Sequence, residues 1–507
     1  MEQSRTKNVI RNIISTLFMG LIATILPFFV RTYTIKCLGS EYMGLNNLCS
    51  SILNVLSATD LGMANAFAFR LYKPIAQGDK EEVCKLLNFY RKVYFAIGMV
   101  ILAAGMIILP FFKCFILQNT PTGINVYVIF FLYLINTVIT YSSFAYKSLI
   151  FIAEQRKDYE SIIMSITFGI LYISQIIFIS AHQYYISICI MPLCTLFENI
   201  LRNRIARHRY PDYIPQGTIS KNEIAALKND IFSVAVYKFR DISRNAFDNI
   251  VISTFMCLAV LSNYQNYYTV LTVPVWLLTL FYASVLPSVG NFAVSNGQKE
   301  MYEIYNINVF IMLFLSAWFS ICYCFLIQDF IAMWLGADFR LSRASVILFS
   351  IYIYLHGEAM TIKIMRESVG LWKKGRIWAA VEMLANLVLN VLLGLWFGVE
   401  GIILATIISM LFISIPVENC IIFSRYFVGK GKDKIKSMAV NILWTIGTAA
   451  ITGILCLFTP HIQYVSFFYK TCVCILLPLM SCILCFRRTD EFKFVKDIIR
   501  KMVWHRI

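Results

Sequence analysis

Long apolar runs alternate with short polar gaps along the whole chain. The runs fall at 12–36, 43–69, 93–112, 126–150, 161–181, 185–201, 231–261, 264–289, 305–326, 344–365, 376–397, 401–423, 438–458 and 465–486. Each is about 20 residues long, enough for an α-helix to cross a hydrocarbon core of roughly 30 Å. The runs are continuous and do not alternate every second residue, which argues against transmembrane strands. The pattern predicts an all-α integral membrane protein of about 14 transmembrane helices.

The gaps set the expected layout. The longest polar stretch, 202–230, is too short for a soluble domain, and Pro211, Pro215 and Gly217 mark it as a linker. The expected organisation is an N-terminal six-helix lobe at 1–208, a cytoplasmic linker at 209–230, a second six-helix lobe at 231–436, two further helices at 437–486 and a basic tail at 487–507. A faint repeat supports two halves: Gln77-Gly78-Asp79-Lys80-Glu81 after the second run matches Asn296-Gly297-Gln298-Lys299-Glu300 after the eighth. Repeated halves with a central cavity are a common transporter design.

Charge refines this picture. The formal net charge of +17 suggests nucleic acid at first sight, but the basic residues sit in short gaps between runs, the pattern that sets topology. With the N-terminus inside, the inner gaps collect Arg91, Lys92, Arg156, Lys157, Arg202, Arg204, Lys373, Lys374, Lys430 and Lys434 among others, and the outer gaps hold little beyond Lys36, Lys113, Arg340 and Arg343. Both termini are therefore expected in the cytoplasm, with no nucleic-acid partner. The basic start at 1–11 precedes a long run without a small-residue cleavage site and reads as an uncleaved first span. The 15 cysteines lie mostly inside apolar runs and read as small buried residues, Cys482 and Cys485 included.

No nucleophile elbow, phosphate loop or metal-spaced histidine set occurs, so neither an enzyme nor a cofactor is expected. The candidate chemistry is charge inside the runs, which is costly in lipid and usually faces a bundle interior or a watery cavity. In the seventh run Arg240, Arg244 and Asp248 recur every four residues along one helical face, and Asp241 lies three before Arg244. They read either as an anion clamp or as a self-neutralised network. Arg31, a turn beyond Pro27, either faces the cavity or snorkels to the interface. Asp60 either caps a broken helix or takes part in cation coupling, and Asp241 is a further coupling candidate. Glu358 and Glu382 read as H+ or Na+ coupling sites or as structural pairs with Lys363 as candidate partner. Asn386 and Asn390 suit bonds between helices. Tyr264, Tyr267 and Tyr268 suit an interfacial aromatic belt or sugar stacking.

Several segments carry a resemblance. They are Arg5-Thr6-Lys7-Asn8-Val9-Ile10-Arg11-Asn12, then Leu38-Gly39-Ser40-Glu41-Tyr42-Met43-Gly44-Leu45-Asn46, Asp60-Leu61-Gly62 and Tyr72-Lys73-Pro74-Ile75-Ala76. Later come Gly370-Leu371-Trp372-Lys373, Glu382, Asn386-Leu387-Val388-Leu389-Asn390 and Phe397-Gly398-Val399-Glu400-Gly401. In their order these resemble Wzx-like polysaccharide flippases, of the polysaccharide transport family in the multidrug/oligosaccharidyl-lipid/polysaccharide exporter (MOP) superfamily. The resemblance implies a two-lobed bundle in the bacterial cytoplasmic membrane. It implies movement of undecaprenyl-pyrophosphate-linked oligosaccharide repeat units from the inner to the outer leaflet by alternating access, for capsule, O-antigen or exopolysaccharide assembly. Arg31, Arg240 and Arg244, with Asp248, fit the substrate-binding role by type and position. Membrane lipids, a coupling ion, a polysaccharide polymerase and other assembly proteins are the implied partners. Two other readings stay open: a cation-coupled multidrug antiporter of the same superfold, and a membrane polysaccharide polymerase.

Overall fold

The apolar runs fold as helices. A computed structural model describes residues 2–57, 63–117, 120–142, 144–219, 221–295, 297–371, 375–460 and 462–504, and among them there is no strand. The helices are α1 (Glu2–Tyr33), α2 (Ser40–Ser57), α3 (Met63–Gln77), α4 (Lys80–Ile108), α5 (Val126–Tyr141), α6 (Ser148–Ala153), α7 (Lys157–Ser180) and α8 (Tyr184–Arg209). They continue as α9 (Lys221–Phe255), α10 (Leu258–Ser295), α11 (Gln298–Trp334), α12 (Arg343–Ser368), α13 (Arg376–Ser409), α14 (Ile415–Arg425), α15 (Gly431–Leu455), α16 (Gln463–Phe486) and α17 (Asp490–Trp504). Side-chain caps set several starts: Asp79 accepts from the Glu82 amide, Asn125 from Tyr127 and Val128, and Ser342 from Ser345.

Among the described residues, ten helical stretches are long and apolar enough to cross a membrane, or eleven if α5 and α6 form one bent span. The chain is thus a multi-pass membrane protein. The difference from the 14 expected runs has physical causes. The eleventh and twelfth runs lie in one stretch, Arg376–Arg425, where the chain turns back at Gly398 (φ 61°, ψ −137°). That backbone suits glycine alone. The second run is divided between α2 and α3, with 58–62 outside the described residues. The seventh, in α9, carries five charges between Lys238 and Asp248. The two repeated turns both lead into a new helix, α4 after Gly78-Asp79 and α11 after Gly297.

By packing, the chain divides into two units, Met1–Ser262 and Asn263–Ile507. In the first, α1 packs on α7, α7 on α8, α8 on α5 and α9 on α2. Residues 210–217, in the stretch expected as a linker, are fastened to this unit. Asn88 Nδ2 donates to the Gly217 carbonyl at 2.7 Å, and Tyr213 donates to Glu154 at 2.6 Å. Burial, then the bond to Glu154, hold the Tyr213 hydroxyl well above its usual range, so it stays a donor. Arg202, expected as a topology charge, is buried against Glu160 and Glu198, each at 2.6 Å. In the second unit α12 is central: 67% of its apolar window is buried, the largest share of any candidate span.

Close helix contact needs small residues. A Cβ on Gly44 of α2 would lie 2.0 Å from the Leu258 carbonyl oxygen, whereas one on Gly20 of α1 would meet nothing within 4 Å. Gly44→Ala is therefore expected to destabilise the protein by about 1–3 kcal/mol and lower its thermal midpoint in detergent by several degrees. Gly20→Ala should leave that midpoint unchanged or raised. Equal midpoints for the two variants would refute the close approach.

Candidate functional site

The polar residues of α2 gather the other helices of the first unit. Arg31 on α1 is buried, and its Nη2 donates to Asn47 Oδ1 at 3.0 Å. One turn on, Ser51 Oγ accepts from Asn249 Nδ2 of α9 at 2.7 Å. Ser51 Oγ also donates to the Asn47 carbonyl at 2.8 Å. Beside them, Tyr184 of α8 donates to Asn46 Oδ1 at 2.6 Å. Asn47 and Ser51 are four residues apart, so they share one face of α2, about 6 Å apart along its axis. That face ties Arg31 to α9 at Asn249, next to the buried Asp248.

The remaining candidates of α9 lie further along the same helix. Arg240 is buried, with its Nη2 2.8 Å from Asp241 Oδ1 and its guanidinium 5.5 Å from the Tyr237 ring centre. Asp241 is thus bonded to its neighbour Arg240. An arginine reaches an adjacent carboxylate when both project beyond the helix surface, and Asp241 is exposed. Arg244 is half-buried. At 1.5 Å per residue, Arg240 and Arg244 lie about 13 Å and 7 Å from Asn249. Arg31 and the α9 residues Arg240, Arg244 and Asp248 therefore follow one another along α1, α2 and α9, with Arg31, Arg240 and Asp248 buried. Asp60 lies outside the described residues.

In the second unit Glu358 meets a partner other than Lys363. Glu358 on α12 is bound by Lys434 Nζ of α15 at 2.6 Å, both buried. Lys363, the expected partner, instead sits 5.0 Å over the Tyr282 ring of α10. It is five residues from Glu358, so the two point to different sides of α12. Glu382 on α13 is buried. Arg366, 1% exposed, pairs with Glu418 of α14 and approaches Glu367 at 3.6 Å, and Tyr282 donates to Glu367. Asn386 donates to Thr406 at 3.2 Å across the turn at Gly398. Tyr264 and Tyr267, expected in an interfacial belt, are buried against Phe349.

Sequence reasoning passed over Asn47, Ser51, Arg366, Glu418 and Lys434. Asn47 and Ser51 had a usable signal, four-residue polar spacing on one face. Lys434 had been counted with the topology charges, and only packing reveals that it is buried. Among the described residues no group of three or more His, Cys, Asp or Glu is placed to hold a metal.

This architecture has known counterparts. No family model matches the chain, and no curated protein matches its sequence. Solved structures do share its fold, and those compared are transporters of the MOP superfamily. The lipid II flippase MurJ in an inward closed conformation is similar at TM-score 0.70 and 16% identity, over 94% of this chain and 99% of that one. A multidrug resistance MATE family transporter of the MOP superfamily, inward-facing, is similar at 0.63 and 11% identity, over 87% and 98%. A MOP superfamily transporter from Pyrococcus furiosus, described as having a binding pocket of reverse polarity, is similar at 0.55 and 13% identity, over 88% and 96%. This chain therefore shares the fold of these solved transporters.

The buried pair of α12 and α15 gives a direct test of its structural weight. Lys434→Met strands the Glu358 carboxylate and should cost about 3 kcal/mol, read as a lower thermal midpoint in detergent. The double variant Glu358→Leu, Lys434→Met should recover most of that loss. A single variant as stable as wild type would show that the two groups do not depend on each other.

Proposed function

We propose that this chain is a flippase for lipid-linked, pyrophosphate-bearing oligosaccharide, moving repeat units from the inner to the outer leaflet of the bacterial cytoplasmic membrane for polysaccharide assembly. The observation that carries this reading is the strip of Arg31, Arg240 and Arg244 along α1, α2 and α9. A buried arginine costs stability in lipid and is retained where it meets a counter-charge or lines a polar path. Guanidinium groups suit phosphate oxygens, which they can bind through paired charge-assisted bonds. The fold likeness to a lipid II flippase supports the same reading.

In this mechanism the arginines neutralise the pyrophosphate while the lipid tail stays in the bilayer. The two halves, taken as the six-helix lobes expected from the sequence with two added helices and both termini cytoplasmic, alternate access to the headgroup. An H+ or Na+ gradient drives the cycle. Asp60, Asp241, Glu358 and Glu382 are the candidates for coupling, and Glu358 would exchange its ion in competition with Lys434. Polymerases and other assembly proteins would act on the product. The fold is equally compatible with a cation-coupled multidrug antiporter, but arginines suit an anionic cargo better than a cationic one.

The test is flipping of a short lipid-pyrophosphate glycan in proteoliposomes. Wild type should move it, and Arg240→Ala or Arg244→Ala should slow movement at least tenfold with folding intact. Movement unaffected by either change would remove these residues from the site. Transport of cationic dyes without glycan flipping would replace the reading with drug export.

A further inference from the structure

The second unit holds a polar cavity that the proposed transport path does not use. It has a volume of about 540 Å³ and lies among the ends of α11, α12, α15 and α16. α17 meets α11 at Phe310, through Phe492, while the cavity meets α11 at Asp329, about 28 Å further along that helix. The cavity is therefore at the end of the unit remote from α17.

Its charged lining is unbalanced. Lys470 Nζ lies 2.6 Å from Asp329 Oδ2, and Arg340 Nη2 lies 3.7 Å from Asp329 Oδ1. Arg343 also lines the cavity and is exposed. One carboxylate thus stands against three cations, and it offsets a single charge. Phe325, Ile347 and Leu457 supply apolar wall, which strengthens the field of the cations near it.

The cations are also held in place. Gln328 Nε2 donates to the Leu341 carbonyl at 2.7 Å, and Arg340 Nε donates to the Gln328 carbonyl at 3.2 Å. The buried Tyr267 hydroxyl donates to Gln328 Oε1 at 2.8 Å and accepts from the Leu341 amide at 3.1 Å. The loop that carries Arg340 is therefore fixed before any ligand arrives, which lowers the ordering cost of binding. Neighbouring Ser342 and Ser345 do not compete, because both donate to Glu400.

We infer that this cavity is an anion site for a phosphate-bearing group, large enough for a pyrophosphate or a phosphorylated sugar. Arginine and lysine side chains converging on one space suit phosphate oxygens through charge-assisted bonds. This inference does not rest on the flippase reading, since an antiporter of the same fold would carry the same cavity.

The test uses the purified full chain in nanodiscs of phosphatidylcholine, titrated with inorganic pyrophosphate at low salt by calorimetry. Wild type should bind at millimolar concentration or better. Arg343→Glu, an exposed change, should abolish binding, and Arg343→Lys should keep it. Lys470→Gln should weaken it at least tenfold. Competition by phosphatidic acid in the nanodisc would identify a lipid headgroup as the ligand, and its absence a soluble phosphate group. No saturation by pyrophosphate, or equal binding by Arg343→Glu, would overturn the inference. So would loss of binding in Arg240→Ala alone, which would assign the pyrophosphate to α9 and leave the flippase reading standing.

Discussion

Asn46, Asn47 and Ser51 on α2 bind three different helices, α8, α1 and α9. In lipid, apolar side chains gain little by facing one another instead of acyl chains, so hydrogen bonds and small-residue contacts choose the neighbours. Gly44 on the same helix adds the small residue, against Leu258. The polarity of α2 is thus the means by which it assembles its unit. It also explains why this helix falls outside the set of apolar spans: the residues that fasten it lower its hydropathy.

The second unit solves the same problem with charge. From α12, Ser350 meets Ser320 of α11, Glu358 meets Lys434 of α15, Arg366 meets Glu418 of α14, and Glu367 meets Tyr282 of α10. Such pairs are poor sources of net stability but costly to break singly. They fix which helix stands where. Lys470 and Asp329 extend the same device to α16 and α11.

Much of this was legible in the sequence because its cause is local. Span lengths follow from hydrophobic runs, and the gap left between the runs at 376–397 and 401–423 is where Gly398 bends the chain. The α9 charges and Arg31 stood out because charge inside an apolar run is rare for a physical reason. Partners were less legible. Nearness in the chain makes Lys363 a candidate partner for Glu358, yet the bond goes to Lys434, 76 residues away. Tyr264 and Tyr267 looked interfacial because periodicity cannot tell an aromatic belt from a buried ring pair. Packing decided both, and packing depends on residues far apart in sequence.

Charge balance separates the two networks. Around α12 the cations Lys363, Arg366 and Lys434 face the carboxylates Glu358, Glu367 and Glu418, three against three, and Lys434 and Arg366 pair with Glu358 and Glu418 at short range. A network that closes on itself has little charge left for a passing ligand. The cavity of Arg340, Arg343 and Lys470 does not close in this way, because Asp329 is the one carboxylate that lines it. Like charges held close together repel one another, and the exposure of Arg340 and Arg343 relieves only part of that repulsion. An anionic ligand would offset the rest when bound, which is why the proposed anion site rests on the surplus more than on the number of charges.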